Sequence, residues 1–308
     1  MSKVRTAVIG VGYLGRFHAM KYAAMDDVEF LGVVDVNGQR ANEVAREVGS
    51  QAYTDCDCLL DELDAVSVAV PTSAHAEVSI PLLERGIAVL LEKPISAHLD
   101  DARSIIEAAA KGGAKLQIGH LERFNPALVR LSDDIRHPMF IEAHRISPFK
   151  ERGTDVDVIM DLMIHDIDII LSLVPSRVSS VEAVGVPILT DSVDIANARI
   201  RFETGCIANI TASRVSADTM RKIRIFQSNS YISIDFAKAS VDVFNLEESK
   251  QIKHTHLAMS ESDALAAEIR SFIDAVKGVS PIKVDGAAGY RAIEVAHIIK
   301  DSLIVPER

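Results

Sequence analysis

Short apolar runs alternate with amphipathic stretches through the first third of the chain. Val4, Ala7, Val8 and Ile9 form one such run, and Leu31–Val34, Ala65–Val70, Ile87–Leu91 and Lys115–Gly119 form four more. Each is too short for a helix, and all but Lys115–Gly119, where Lys115 and Gln117 alternate with Leu116 and Ile118, lack a polar face, the pattern of a parallel strand covered on both sides. Between them, helical spacing is predicted over Tyr13–Ala24, Gln39–Gly49, Ala74–Arg85 and Leu99–Lys111, with a short strand near Ala52-Tyr53 and a compact helical stretch around Leu59-Leu60. Three of these helices run into glycine, at Gly49, Gly86 and Gly112-Gly113, as helix C-termini commonly do. Strands alternating with helices predict a doubly wound α/β domain.

The pattern changes near residue 120. A crossing segment, His120–Pro126, leads to a helix from Ala127 to about Ile135, and a second apolar helix is predicted over Val158–Leu171. From Val178 onward, period-two runs take over: Val181–Val184, Ile195–Phe202, Cys206–Ala212, Ile223–Phe226, Tyr231–Phe236 and Val241–Phe244. Such runs, separated by glycine or polar turns, predict an antiparallel sheet. Two terminal helices follow, Leu265–Lys277 and Ala287–Leu303. The expected class is therefore α/β plus α+β. Residues 1–120 form the nucleotide domain and residues 121–308 the second, mostly antiparallel domain, whose terminal helix is free to pack back on the first.

The first turn carries chemistry. Gly10-x-Gly12-x-x-Gly15 follows the first strand and opens a helix at Tyr13 and Leu14. Gly10 permits the tight turn, Gly12 lets backbone approach a pyrophosphate, and Gly15 lets the helix pack closely, while the helix amino end offers N–H groups to anionic oxygens. Asp35 ends the second strand twenty positions beyond Gly15. There a carboxylate accepts both ribose hydroxyls and repels a 2′-phosphate, which favours NAD over NADP. For Arg40 the alternatives are an inward turn toward such a phosphate and a solvated place on the following helix, and it reads as the latter.

Ligands in open α/β sheets bind outside the carboxyl ends of the strands. Pro71 and His75 follow the fourth strand there, and Glu92-Lys93-Pro94 follows the fifth. Beside a nicotinamide, Lys93, its backbone restricted by Pro94, is positioned to hydrogen-bond a substrate hydroxyl; the plain alternative is a surface lysine. His75 is either a rim residue or a solvent-facing histidine at a helix start. Arg123 and Asn125 are candidate substrate groups, Arg123 through its planar fork for phosphate or carboxylate, or else through a structural salt bridge. Asp161 and His165, four apart, would share one helical face as a base oriented by a carboxylate; the spacing leaves catalysis and structure evenly open.

Composition narrows the setting. The net charge of −11 over 308 residues argues against nucleic acid as a partner. Three cysteines make neither a disulfide framework nor a zinc set, and Cys56-x-Cys58 and His254-x-His256 read as incidental, so no metal is expected. No apolar run is long enough to cross a bilayer, and a cytoplasmic protein without membrane insertion is the expectation.

With these motifs in order, the sequence resembles the Gfo/Idh/MocA oxidoreductase family over its whole length. The resemblance rests on Gly10-x-Gly12-x-x-Gly15-x-x-His18, Asp35, Pro71 with His75, Glu92-Lys93-Pro94 and Asp161-x-x-x-His165. It implies a Rossmann domain binding NAD, with contacts from Gly10, Gly12, Tyr13, Leu14, Gly15, Asp35, Pro71, His75, Glu92 and Lys93. It also implies catalysis by Lys93, Asp161 and His165 on a sugar or polyol alcohol, and a homodimer or homotetramer assembled through the C-terminal sheet. Val70 stands where the family often has threonine, and His120 where an aromatic is usual. Gly119–Pro126 and Met163–Asp168 look most like the branch that oxidises C3 of UDP-N-acetylglucosamine and related nucleotide sugars. Alternatives are an inositol-type dehydrogenase of free polyols and a non-catalytic nucleotide sensor.

Overall fold

The structure, a computed structural model, describes residues 3–131, 134–149, 157–259 and 263–305. In chain order the elements are β1 (Val4–Ile9), α1 (Tyr13–Ala23), β2 (Val28–Val34), α2 (Gly38–Val48), β3 (Gln51–Tyr53), β4 (Ala65–Val68), α3 (His75–Glu84), β5 (Ala88–Glu92), α4 (Leu99–Gly112) and β6 (Leu116–Gly119). Then come α5 (Pro126–Leu131), β7 (Phe140–Ile146), α6 (Ile164–Leu173), β8 (Val178–Val186), β9 (Ile195–Phe202), β10 (Ile207–Ser213), β11 (Met220–Gln227) and β12 (Ser230–Asp235). β13 (Ser240–Leu246), β14 (Ile252–Ala258), α7 (Ala264–Val276), α8 (Gly286–Asp301) and β15 (Leu303–Ile304) complete the chain. Two compact units result: Met1–Leu121 with Asp263–Tyr290, and Glu122–Ser262 with Arg291–Arg308.

In the first unit all six strands are parallel, in the order β3-β2-β1-β4-β5-β6. The apolar runs explain this, since β4 and β6 are buried at every residue and β1 and β5 at all but one. The strand order reverses between β1 and β4, which places a ligand crevice at their carboxyl ends. α7 belongs to this unit: Ile269, Phe272 and Ile273 join Val8, Tyr22, Val33 and Leu90 in one core. Asp27, just before β2, anchors the helix by accepting from Arg270 and Lys277, and these cations hold its carboxyl well below the usual range. The start of α8 packs here too, its Gly289 lying against Ile118.

The second unit is a nine-stranded sheet in the order β14-β13-β12-β11-β7-β10-β9-β8-β15. Its pairs are antiparallel except β7 with β10 and β8 with β15. Alternation sets the faces: along β9, Ala196, Ala198, Ile200 and Phe202 are buried and their neighbours are not. α6 packs on β7 and β10. A row of rings, Phe140, Phe226, Tyr231, Phe244 and His254, crosses the sheet from β7 to β14 with centroids 4.2–5.5 Å apart. α5 ends at Leu131; residues 132–133, inside the helix expected to reach Ile135, lie outside the described residues. Among the described residues, no helix is long and apolar enough to cross a membrane.

Candidate active site

The glycine turn has the geometry its sequence demands. Gly10 has a φ of +83°, and a side chain there would meet Val70 N at 2.7 Å. A Cβ on Gly15 would lie 1.8 Å from the Gly10 carbonyl oxygen, so only glycine lets α1 start this close to the turn. Gly12 faces open space, room for an anionic group beside the helix amino end. Tyr13 and Leu14 are exposed at that end. Asp35 Oδ2 accepts from Val11 N at 2.9 Å and Oδ1 from Asn37 N at 2.9 Å, which fixes the carboxylate beside the turn. These residues fit a dinucleotide: a tight turn, an open cradle and an acid at the ribose position. Arg40 corrects the expectation of a solvated residue. Its Nε donates to Val11 O at 2.7 Å and its Nη2 to Gly12 O at 3.2 Å, because the turn leaves two carbonyls within reach of α2.

Gly15→Ala is therefore expected to push α1 off the turn. Overpacking of this kind costs about 1–3 kcal/mol or more. Thermal unfolding would show a lowered Tm and loss of the upward shift on adding NAD. An unchanged NAD-induced shift would contradict the packing role.

Lys93 follows β5 on the same rim, half-buried, with a cis bond to Pro94. Its neighbours are fixed from two sides. Glu92 accepts from His18 Nε2 at 2.9 Å, while His18 Nδ1 lies 3.0 Å from Ser67 Oγ, itself 2.9 Å from Tyr22 OH. Burial opposes ionisation of Glu92, yet the His18 bond and the nearby Lys93 charge hold its pKa below the ordinary value. On the other side, His75 is buried rather than solvent-facing. Its Nδ1 lies 2.9 Å from Pro94 O and its Nε2 3.1 Å from Val70 O, bracing the strand β4 exit against the Lys93-Pro94 segment. Burial pushes the His75 pKa down, against the raising effect of those carbonyls. Pro71 starts the 3₁₀ turn Thr72–Ala74 that leads into α3.

In the second unit, Asp161 and His165 are both half-buried, but the turn Ile159–Met163 is π-helical. Its i→i+5 bonding takes more than four residues per turn, so the offset of four that sequence spacing converts to one α-helical face is altered here. Such turns are frequent at functional sites. Asp157 caps it, accepting from Ile159 N and Met160 N, and Lys300 Nζ lies 2.7 Å from the same carboxylate. Asn125 Oδ1 accepts from Ala127 N at 3.0 Å and so caps α5. Arg123 Nη1 donates to Asp168 O at 3.4 Å, with Asp168 Oδ1 at 3.7 Å.

Sequence reading missed the group that ties these segments together. Arg145, core-facing on β7, donates through Nε and Nη2 to both Asp166 oxygens at 3.0 Å and through Nη1 to Glu122 Oε1 at 2.9 Å. Burial works against its charge, but the two carboxylates prevail and hold the guanidinium pKa above its ordinary value. The residues flanking the triad are the candidates: Glu122 adjoins Arg123, and Asp166 adjoins His165. An arginine at an inward position of an alternating strand was the only available signal.

The comparisons with known proteins follow the same division. Residues 4–120 match the model of an oxidoreductase family with an NAD-binding Rossmann fold, and residues 134–233 match the GFO/IDH/MocA C-terminal domain. The chain is 40% identical over 302 residues to UDP-N-acetylglucosamine 3-dehydrogenase of Acidithiobacillus ferrooxidans, covering 96% of each. A solved structure of that enzyme superposes with a TM-score of 0.93 at 40% identity and 98% coverage of both chains. Myo-inositol 2-dehydrogenase of Thermotoga maritima is 27% identical, covering 97% of this chain and 96% of its own. With a doubly wound sheet, a glycine cradle for a nicotinamide dinucleotide and a mixed second sheet in place, the chain belongs to the Gfo/Idh/MocA family of oxidoreductases and is an enzyme acting on CH–OH groups.

Proposed function

We propose that the protein oxidises the 3-hydroxyl of a UDP-N-acetylhexosamine with NAD. The observation that carries this reading is the 40% identity to a UDP-N-acetylglucosamine 3-dehydrogenase across 96% of both chains. A bound nicotinamide supplies the hydride acceptor. His165, oriented by Asp161, takes the hydroxyl proton, and the Lys93 ammonium stabilises the charge that grows on the alcohol oxygen. Arg123 and Asn125 are the substrate contacts of this reading, Arg123 toward a phosphate. Asp35 favours NAD over NADP, since a 2′-phosphate would meet its charge. Assembly as a homodimer or homotetramer through the C-terminal sheet and a cytoplasmic location belong to the same proposal.

The resemblance to a myo-inositol 2-dehydrogenase supports a second reading, oxidation of a free cyclitol. A panel of UDP-N-acetylhexosamines, free N-acetylhexosamines and inositols, each with NAD and NADP, separates the two by the appearance of reduced cofactor. The expected result is turnover with a UDP-sugar and NAD. Turnover confined to inositols would replace the first reading with the second.

A further inference from the structure

Glu268, on α7, has no place in the reading above. It is 0% exposed, and neither carboxyl oxygen has a hydrogen-bond partner among the described residues. Gln117 on β6, also 0% exposed, donates through Nε2 to the Glu268 backbone oxygen at 3.2 Å, and its own Oε1 likewise has no partner among them. This region is therefore short of donors. One ligand atom each from Glu268, His18 and Glu92 lie within 4.8 Å of one another. An ionised carboxylate here would be buried beside the Glu92 charge, and desolvation would oppose it strongly.

Two kinds of particle relieve such a site, a proton or a cation. The Nε2–H of His18 already donates to Glu92 Oε1, so a metal ion held by all three groups would have to displace that bond. The Lys93 charge acts on Glu92 as well, and a second cation would be repelled by it. A proton needs no displacement and no entry path.

We propose that Glu268 is held protonated at neutral pH beside Glu92, so that one negative charge, not two, adjoins Lys93. Glu268 is then a positioning residue. Its neutral acid supplies the missing donor, and Glu92 keeps its bonds to His18 and the Lys93 backbone. The groups around this acid are His18 and Tyr22 from α1, Glu92 at the end of β5, on which Lys93 acts in turn, and Gln117 from β6. Burial first, and Glu92 second, raise the Glu268 pKa well above 4.5. The service to Lys93 rests on the catalytic reading above; the protonation of Glu268 does not, and it is tested without substrate.

The sign of the linkage makes the test sharp. A carboxyl whose folded pKa is raised contributes fully below its unfolded pKa and costs progressively more stability as pH rises toward the folded value. Glu268→Gln keeps the shape of the neutral acid and cannot ionise. Its Tm should equal or exceed that of the parent at neutral pH, with a gap that widens into the alkaline range, and any alkaline change in kcat/KM caused by Glu268 should disappear. A Tm lowered by the same amount at every pH would overturn the proposal. So would a metal ion that co-purifies in stoichiometric amount and whose chelation lowers the Tm of the parent alone. Should the variant not fold, infrared spectra of the parent with isotope-labelled glutamate decide: a neutral glutamic-acid carbonyl band at neutral pH supports a protonated Glu268, and its absence overturns it.

Discussion

Replacing Lys93 with alanine is expected to lower kcat/KM by about two to four orders of magnitude, the usual range for loss of a positioned acid–base group. The lysine is held from both sides of the chain. Glu92 before it is bonded to His18, and Pro94 and Ile95 after it face the ring of His75. Neither support needs the ammonium, so the variant should fold and retain its NAD-induced thermal shift. The deficit should fall on turnover. Lys93→Arg should recover little, because a planar fork does not reproduce a compact ammonium on a flexible stem. His165→Ala should cost a similar factor. If both act on one hydroxyl, the double variant should be far less impaired than the product of the two losses, since groups that work as a unit are non-additive. Undiminished turnover by Lys93→Ala on its true substrate would remove the lysine from the chemistry. Full multiplicative loss in the double variant would separate the two roles.

What could be read from the chain divides along physical lines. The parallel sheet was legible because most of its strands are apolar on both faces, and the glycine turn because two of its glycines answer a local demand. Gly10 needs a positive φ and Gly15 a missing Cβ, and both are visible without tertiary information. The place of Lys93, directly after the buried strand β5, was legible as well. By contrast, β7 escaped although it pairs with both β10 and β11 near the middle of the second sheet. Its inward register is occupied by Ile141, Ala143 and Arg145, and a buried arginine breaks the apolar alternation that marks a strand. The destination of α7 was not legible either. An amphipathic helix declares that it has an apolar face, not which core receives it, and only the structure seats Phe272 beside Tyr22 and Val33. Arg40 and Glu268 escaped for the same reason: the groups around their side chains lie far away in sequence, Val11 for one and His18 and Glu92 for the other. The π-helical turn at Ile159–Met163 was invisible because the apolar spacing there suits an ordinary helix.

Arg145→Ala should be among the most destabilising single changes in the second unit. Arg145, Asp166 and Glu122 are 5%, 2% and 15% exposed at their side chains, so truncating the arginine strands two carboxylates away from water. Breaking a buried pair by removing one partner costs about 3–5 kcal/mol, which at roughly 2–4 °C per kcal/mol lowers Tm by about 6–20 °C. Arg145→Lys should rescue only part of this, because one ammonium does not reproduce a bidentate grip on Asp166 together with a bond to Glu122. The pH dependence has a definite sign. Burial already raises the Asp166 pKa against the opposing pull of Arg145, and losing the guanidinium removes that pull, so the variant loses stability as pH climbs above the ordinary carboxylate range and regains it in acid. Neutralising the acids as well, in Arg145→Met with Asp166→Asn and Glu122→Gln, should restore much of the lost Tm, since a buried ion cluster gives little net stability over uncharged packing. Activity should not return with it. The triad sits between the segments bearing Arg123 and His165, and its loss should persist in kcat/KM after the fold is restored. Recovery of both together would reduce Arg145 to a purely structural residue, while a single variant that melts with the parent would mean the triad contributes nothing to the fold.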